Sequence, residues 1–303
     1  MNSSVLVDLK KIVSEEHLLV DAPMKEYTTF KTGGPAAVLV NIYGLNELSA
    51  VVRLLKEKQV PYTLVGNGSN LLVSDKGYDG VVIRLRGSFD SFTAKGNVIE
   101  SGAGATLSRL CSFAAQEGLS GLEFAYGIPG TVGGALVMNA GAYDGEIAGV
   151  VSSVTLMDPE GKIKTVSGKE MNFSYRDSLL KHEDYIAVAA EFTLTKGKIE
   201  DIQFKMQDFL GRRKSKQPLE YPSAGSTFKR PEGFFAGKLI EDAGLAGRFV
   251  GGACVSKKHC GFIVNDGGAS SEDISNLMKI VRDEVFAKFG VMLEPEVIKL
   301  GIF

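Results

Sequence analysis

The sequence predicts an α+β protein built as more than one lobe. Three observations carry this. Its 303 residues are too many for one small core. Short strand-like runs alternate with amphipathic helical runs through the first 200 residues. The character then changes near 200–215, where a polar helix ends in the basic cluster GRRKSKQP (211–218) and a second α+β unit follows.

The elements follow in order. MNSSVLVDLKKIVSEEHLL spaces Val5, Leu6, Leu9, Ile12 and Val13 as one face of an amphipathic helix rather than as a signal peptide. ELSAVVRLLKEK (47–58) has the same period. YTLVG (62–66) reads as a strand ending in glycine, and LLVSD (71–75) and GVVIRL (80–85) as further strands. Thr106 is a natural N-cap for a helix whose Leu107, Leu110, Cys111 and Ala114 share a face and which Gly118 stops. GVVSSVTLMDPEGKIKTV (149–166) is a hairpin with its turn near Asp158–Gly161, and IAVAAEFTL (186–194) is another strand. Beyond the break come FFAGKLIEDAG, the strand CGFIVN (260–265) and a long helix from Ser270 to Gly290. That helix opens with a capping-box-like S-S-E-D and aligns Ile274, Leu277, Met278, Val281 and Val285. The chain ends in VMLEPEVIKLGIF, a strand interrupted by Pro295.

Composition excludes several function classes. Lysine and arginine number 34 against 36 acids, so net charge points to neither nucleic acid nor a membrane surface as partner. No apolar run reaches transmembrane length, and the protein is expected in the cytoplasm. Cys111, Cys254 and Cys260 form no CxxC pair, and an odd count is not a disulfide framework. Cys254, His259 and Cys260 make a poor zinc set with no fourth ligand, so they are expected to be packing or solvated side chains and no metal site is assigned.

Two glycine-rich stretches look built around an anionic ligand. In VGNGSNLLVSD (65–75), Gly66, Asn67, Gly68, Ser69 and Asn70 turn the chain after a strand. Successive amides in such a turn make a nest for phosphate oxygens. YGIPGTVGGALVMNAGAYDGE (126–146) is too apolar for a linker and too rich in glycine for an ordinary helix or strand. Its Gly127, Gly130, Gly133 and Gly134 leave backbone open, Thr131 offers a hydroxyl, and Pro129 fixes the local turn. Taken alone, each stretch also fits a plain glycine turn packed in the fold. Together they favour a dinucleotide with two phosphates and flat rings. Neither spells a Rossmann GxGxxG, and no GxxxxGK[ST] P-loop exists.

Six motifs then appear in order: YTTFKTGGPA (27–36), VGNGSNLLVSD, GLEFAYGIPGTVGGALVMNAGAY (121–143), NFSYRDS (172–178), PSAGSTFKRP (222–231) and LEPEVIKLG (293–301). Together they resemble the UDP-N-acetylenolpyruvoylglucosamine reductase family, from about residue 20 to the C-terminus. The resemblance implies a bacterial flavoprotein of peptidoglycan precursor synthesis. Its implied fold is α+β, a two-lobed FAD-binding domain of the p-cresol methylhydroxylase/vanillyl-alcohol oxidase type plus a smaller substrate domain. The implied division is 1–200 for FAD, with lobes 1–68 and 69–200 and the tail 293–303 returning to it, and 201–292 for the UDP-sugar. The chain between Ser178 and the strand at 186 is short, as in the family's shorter form, which lacks an extra substrate-domain loop.

By that resemblance, residues 66–70 hold the FAD pyrophosphate and ribityl chain, and Gly127, Ile128, Pro129, Gly130, Thr131, Gly133, Gly134 and Gly141 line the cofactor from the other lobe, with Asn139–Tyr143 nearby. Neither stretch contains His or Cys, so FAD is expected to be non-covalent. NADPH is the implied hydride donor, and UDP-N-acetylglucosamine-enolpyruvate the substrate. Arg176 is the implied stabiliser of the developing enolate, since its planar fork matches a carboxylate; read alone it is a surface partner of Asp177. Ser226 is the implied carbon acid; read alone it is a turn serine beside Gly225. Glu296, rather than Glu294, is the implied third catalytic residue. A carboxylate there must be protonated or networked with Arg176. Lys216 is the first choice for the diphosphate among the basic run, with Arg213 beside it, and Tyr175, Lys229 and Arg230 are the remaining substrate candidates. Two alternatives stay in view: an oxidase of the same fold, which needs neither SAGSTF nor the LEPE ending, and a nucleotide-sugar binding protein, which would carry damage at Arg176, Ser226 or Glu296.

Overall fold

The computed structural model describes residues 3–303. The chain divides into two compact units. One comprises the segment ending at Val20, Val38–Gly66 and Gly80–Arg212, and the other Asp21–Ala37, Asn67–Asp79 and Arg213–Phe303.

In the first unit, α1 (Ser3–Ile12) and α2 (Leu45–Glu57) pack on a four-stranded sheet ordered Leu18–Pro23, Pro35–Ile42, Tyr78–Leu85, Tyr62–Leu64. Val5, Leu9 and Val13 enter one core with Leu48, Val51, Val52 and Leu55, as the helical spacing of both segments requires. A second, five-stranded antiparallel sheet runs Ile163–Ser167, Val151–Met157, Ile186–Thr193, Val98–Gly102, Phe92–Lys95. Its hairpin turns where the sequence places it. The Asp158 carboxylate accepts the amides of Glu160 (3.0 Å) and Lys162 (2.8 Å), and Gly161 takes φ +85°. Against this sheet lie α3 (Leu107–Gln116) and α4 (Val132–Met138), their apolar faces sharing a core with Val154, Leu156 and Phe192. Thr106 caps α3 by accepting the Arg109 amide, and Gly118 leaves it at φ +65°. α5 (Ile199–Lys216) buries only Ile202 and Met206, which explains its polar sequence.

In the second unit, α6 (Ala236–Asp242) and α7 (Ser271–Phe289) share a core with the sheet Phe249–Val250, Ala253–Val255, Ile263–Asn265. Four successive amides at the start of α7, from Ser270 to Asp273, are capped by side chains. Ser270 and Asp273 form the reciprocal capping box, and the Asp75 carboxylate accepts the amides of Ser271 and Glu272, both at 2.9 Å. A residue almost 200 positions upstream therefore completes this helix end. Asp75→Ala is expected to cost about 1–2 kcal/mol, or roughly 2–8 °C in Tm. Calorimetry checks this, and an unchanged Tm would show the capping box to be sufficient alone.

The C-terminal strand clarifies Pro295. It faces Phe228 in an antiparallel bridge, flanked by hydrogen bonds from Lys229 N to Glu294 O (2.8 Å) and from Glu296 N to Thr227 O (2.9 Å). Pro295 thus occupies a non-hydrogen-bonded position, where a missing N–H is not needed. The strand then continues as Ile298–Leu300, parallel to Leu71–Val73.

Candidate flavin and catalytic site

Within the first unit, Gly66 lies against Thr131. A Cβ on Gly66 would sit 2.3 Å from Thr131 Oγ1 and 3.0 Å from its Cγ2. Thr131 is buried and caps α4 by accepting the Gly134 amide at 3.3 Å. Here the structure differs from the expectation of a non-helical stretch, because α4 begins inside it. The glycines are needed for close approach rather than to avoid a helix. The Gly133 amide donates to Ala103 O at 2.8 Å, and a Cβ on Gly133 would lie 3.1 Å from that oxygen. Gly134 differs. Apart from Thr131 Oγ1 at 3.5 Å, no described residue outside its chain neighbours and its own helix backbone comes within 4 Å of where its Cβ would stand. Protein packing does not demand glycine at this exposed position, and its bare backbone is open to a flat ligand. The residues therefore fit the FAD expected of them.

In the second unit, Gly68 is the member of its loop that needs positive φ, at +60°, and a Cβ there would lie 2.1 Å from Tyr27 O. The amide of Thr29 donates to Gly68 O at 3.2 Å, fixing the turn. Asn70 uses its side chain on the protein. Nδ2 donates to Glu296 O (3.1 Å), and Asn70 O accepts from Ile298 N (3.0 Å). Gly66→Ala is expected to displace Thr131 from its cap and weaken FAD binding by roughly tenfold or more, the loss of about one cap. Fluorescence titration of apoprotein with FAD measures it, and wild-type affinity would remove the contact from the cofactor reading.

Arg176 stands in a two-residue turn closed by Ser174 N to Asp177 O (3.1 Å) and Asp177 N to Ser174 O (3.2 Å). It has φ +58°, a conformation usually given to glycine or asparagine. The Asp177 carboxylate is bound by His182 Nε2 at 2.8 Å, with Lys181 Nζ at 4.0 Å, and the His182 hydrogen bond is the main reason its pKa lies below the ordinary value. Arg176 Nη2 donates to Gly141 O (3.4 Å) and its guanidinium lies 5.0 Å from the Tyr175 ring. A strained backbone at a charged residue is a pattern of functional sites.

Ser226 and Glu296 are brought together on paired segments. The bridge at Phe228 and Pro295 sets Thr227 against Glu296, with Ser226 one residue further. Thr227 is fully buried and its Oγ1 accepts the Ile263 amide at 3.0 Å, so the backbone beside Ser226 is held firmly while Ser226 itself is exposed. The alternation Leu293 in, Glu294 out, Val297 in leaves Glu296 half-buried. Glu294 is exposed and pairs with Lys229. Arg230 lies over the Phe235 ring at 4.0 Å. Arg213 and Lys216 end α5, where cations complement the helix dipole. Lys258 Nζ also serves that end, donating to Lys214 O at 2.9 Å. Cys254 Sγ donates to Val255 O and His259 Nδ1 accepts the Gly261 amide, its ring edge-on to Phe262. Burial lowers the His259 pKa.

Comparison with known proteins decides the family. A UDP-N-acetylenolpyruvoylglucosamine reductase of Clostridioides difficile (strain 630) is 49% identical over 300 residues, covering 99% of both chains. The chain belongs to the UDP-N-acetylenolpyruvoylglucosamine reductase family. The model of that reductase family's C-terminal domain matches residues 217–300, and an FAD binding domain matches 36–167. The family member from Caldanaerobacter subterraneus subsp. tengcongensis is 48% identical over 99% of both chains. The crystal structure of the Thermus caldophilus reductase aligns with TM-score 0.81 and 38% identity, over 94% of this chain and 98% of that one. A Phl p 4 variant described as a glucose oxidase aligns over 63% of this chain and 44% of its own, with TM-score 0.50 and 15% identity, which shows a common fold alone. The fold class is thus the expected one, α+β with an FAD-binding domain of the p-cresol methylhydroxylase/vanillyl-alcohol oxidase type. Among the described residues no helix is long and apolar enough to cross a membrane.

Sequence reasoning missed Asp75 at the start of α7 and Ser178 beside the Arg176 turn, and it expected Asn139, at the end of α4, near the cofactor but not on that turn. Only Asn139 left a local signal, an asparagine closing an apolar run, where a left-handed C-cap is common.

Proposed function

We propose that this protein reduces the enolpyruvyl group of UDP-N-acetylglucosamine-enolpyruvate to UDP-N-acetylmuramate with NADPH, in bacterial peptidoglycan precursor synthesis. It is then a cytoplasmic enzyme of cell wall biogenesis, and hence of cell shape and division. The observation that carries the reading is the pairing of the Ser226 segment with the Glu296 segment. In this reading 1–200, with the tail 293–303, serves non-covalent FAD, and 201–292 serves the sugar nucleotide.

Bound FAD supplies a two-electron carrier between NADPH and the terminal vinyl carbon of the substrate. Negative charge then builds on the adjacent carbon and its carboxylate. Arg176 meets that charge with a fixed guanidinium, available without reorganisation. Ser226 gives its hydroxyl proton to the adjacent carbon and regains one from water. Glu296, held through its own backbone by Thr227 and Asn70, keeps a carboxyl group beside the Ser226 segment. In its protonated form it adds a hydrogen bond without repelling the anion. Lys216 and Arg213 offer charge to the diphosphate, with Tyr175, Lys229 and Arg230 as further substrate contacts.

The test is an anaerobic visible spectrum of the purified protein, before and after one equivalent of NADPH and then the sugar nucleotide. Bleaching followed by return of colour supports both half-reactions. Colour that returns only with air points to an oxidase. A protein that stays colourless when given FAD overturns the flavin reading.

A further inference from the structure

The turn carrying Arg176 holds a conformation that an arginine does not choose by itself. Such a conformation persists only where its surroundings over-determine it. The restraint comes from the C-terminal end of α4. Asn139, 1% exposed, leaves that helix at φ +41°. Both ends of its side-chain amide are in use. Nδ2 donates to Ser174 O at 3.1 Å, the first residue of the turn, and Oδ1 accepts the Ala148 amide at 3.0 Å. On the far side of the turn, Ser178, also 1% exposed, donates from Oγ to Val137 O at 3.0 Å. The turn is therefore pinned on both flanks to the last residues of one short helix. The other end of that helix holds Thr131, Gly133 and Gly134. Arg176 itself donates from Nη2 to Gly141 O (3.4 Å), two residues beyond Asn139 at the C-terminal end of that helix.

We propose that Asn139 is a positioning residue for Arg176. It holds the strained turn in register with α4, so that the guanidinium is in place when the sugar nucleotide is reduced. The proposal rests on the reading of Arg176 as the group that meets the developing anion. The side chain does this through a bond to the turn and takes no part in the chemistry itself. A displacement of about 1 Å at a catalytic group can cost on the order of 10²-fold in rate. One hydrogen bond lost from the flank of a turn still closed by two others is expected to lie at or below that figure.

The test uses the FAD-loaded full chain and separates the two half-reactions by stopped flow. Asn139→Asp keeps an oxygen for the Ala148 amide, and aspartate tolerates positive φ nearly as asparagine does. It sets an oxygen against Ser174 O with no hydrogen between them. The expected result is that oxidation of the NADPH-reduced enzyme by the sugar nucleotide slows about tenfold to a hundredfold, while reduction by NADPH and affinity for FAD stay at wild-type values. Asn139→Gly keeps the backbone conformation without a buried charge, and serves if the aspartate variant does not fold. In an Arg176→Ala background the Asn139 substitution is expected to change nothing further, because its effect runs through the missing guanidinium. Three results overturn the proposal. Equal slowing of both half-reactions, or loss of FAD, makes Asn139 a general support of the fold. Additive losses in the double variant, with Arg176→Ala alone impaired, leave the Arg176 reading intact and remove the positioning role. An unimpaired Arg176→Ala removes both.

Discussion

Ser226→Ala is expected to retain flavin reduction by NADPH and lose roughly 10²–10⁴-fold in the oxidation of reduced enzyme by the sugar nucleotide, the usual range for a general acid. The structure makes this a clean substitution. Ser226 is exposed, so removing its hydroxyl opens no cavity. The segment is fixed on either side by other residues. Thr227 is fully buried, with its amide on Gly261 O, its carbonyl accepting from Glu296 N and its hydroxyl accepting from Ile263 N. Phe228 fills the core beneath. Gly225 turns the chain just before it at φ +75°. Tm should therefore stay within about 2 °C, since surface substitutions of this kind fall within about 0.5 kcal/mol. Rapid mixing of the reduced variant with substrate, monitored by flavin colour, gives the rate. Equal loss in both half-reactions would make Ser226 a part of the shared binding surface and not the acid.

What the sequence made legible follows from how local each signal is. The helices α2, α3 and α7 and the hairpin at Asp158–Gly161 are written in spacing, caps and turn residues only a few positions apart, and they stand where those signals put them. The grouping of Asp21–Ala37 and Asn67–Asp79 with the C-terminal residues is not local. It depends on bonds such as Asp75 to Ser271 and Asn265 Nδ2 to Phe30 O, whose partners lie some 200 residues apart and which no periodicity encodes. The glycine stretch misled for a related reason. Glycine lowers helix propensity by about 1 kcal/mol per residue, yet α4 forms, because Thr131 caps it and its Val132, Ala135 and Leu136 are buried in a ready core. At the candidate site, residue types were readable but their surroundings were not. Arg176 beside Asp177 reads as a surface pair. The left-handed backbone and the hold of His182 on Asp177 emerge only when the turn is seen.

Arg176→Gly and Arg176→Ala, compared at one position, are expected to lose activity equally and to differ in stability in the direction opposite to most of the chain. Both remove the guanidinium. A preorganised donor facing transition-state charge contributes about 2.7–4 kcal/mol, so each variant should lose roughly 10²–10³-fold in the second half-reaction. Arg176→Lys keeps the charge without the planar fork and should fall between them and the wild type. The backbone separates the pair. At φ +58° an alanine retains the clash of Cβ with the following carbonyl, worth about 1–2 kcal/mol, and glycine does not. Glycine is also more flexible when unfolded, which offsets part of that gain by roughly 0.4–1 kcal/mol. The net expectation is a glycine variant more stable than the alanine variant by up to about 1.6 kcal/mol, or up to roughly 3–6 °C in Tm. Calorimetry on both proteins reads the difference. An alanine variant at least as stable as the glycine variant would mean that the left-handed turn relaxes once arginine is gone. Loss of activity together with a stability gain would mean that the chain keeps arginine here against its own backbone preference, and the anion it meets is then the reason.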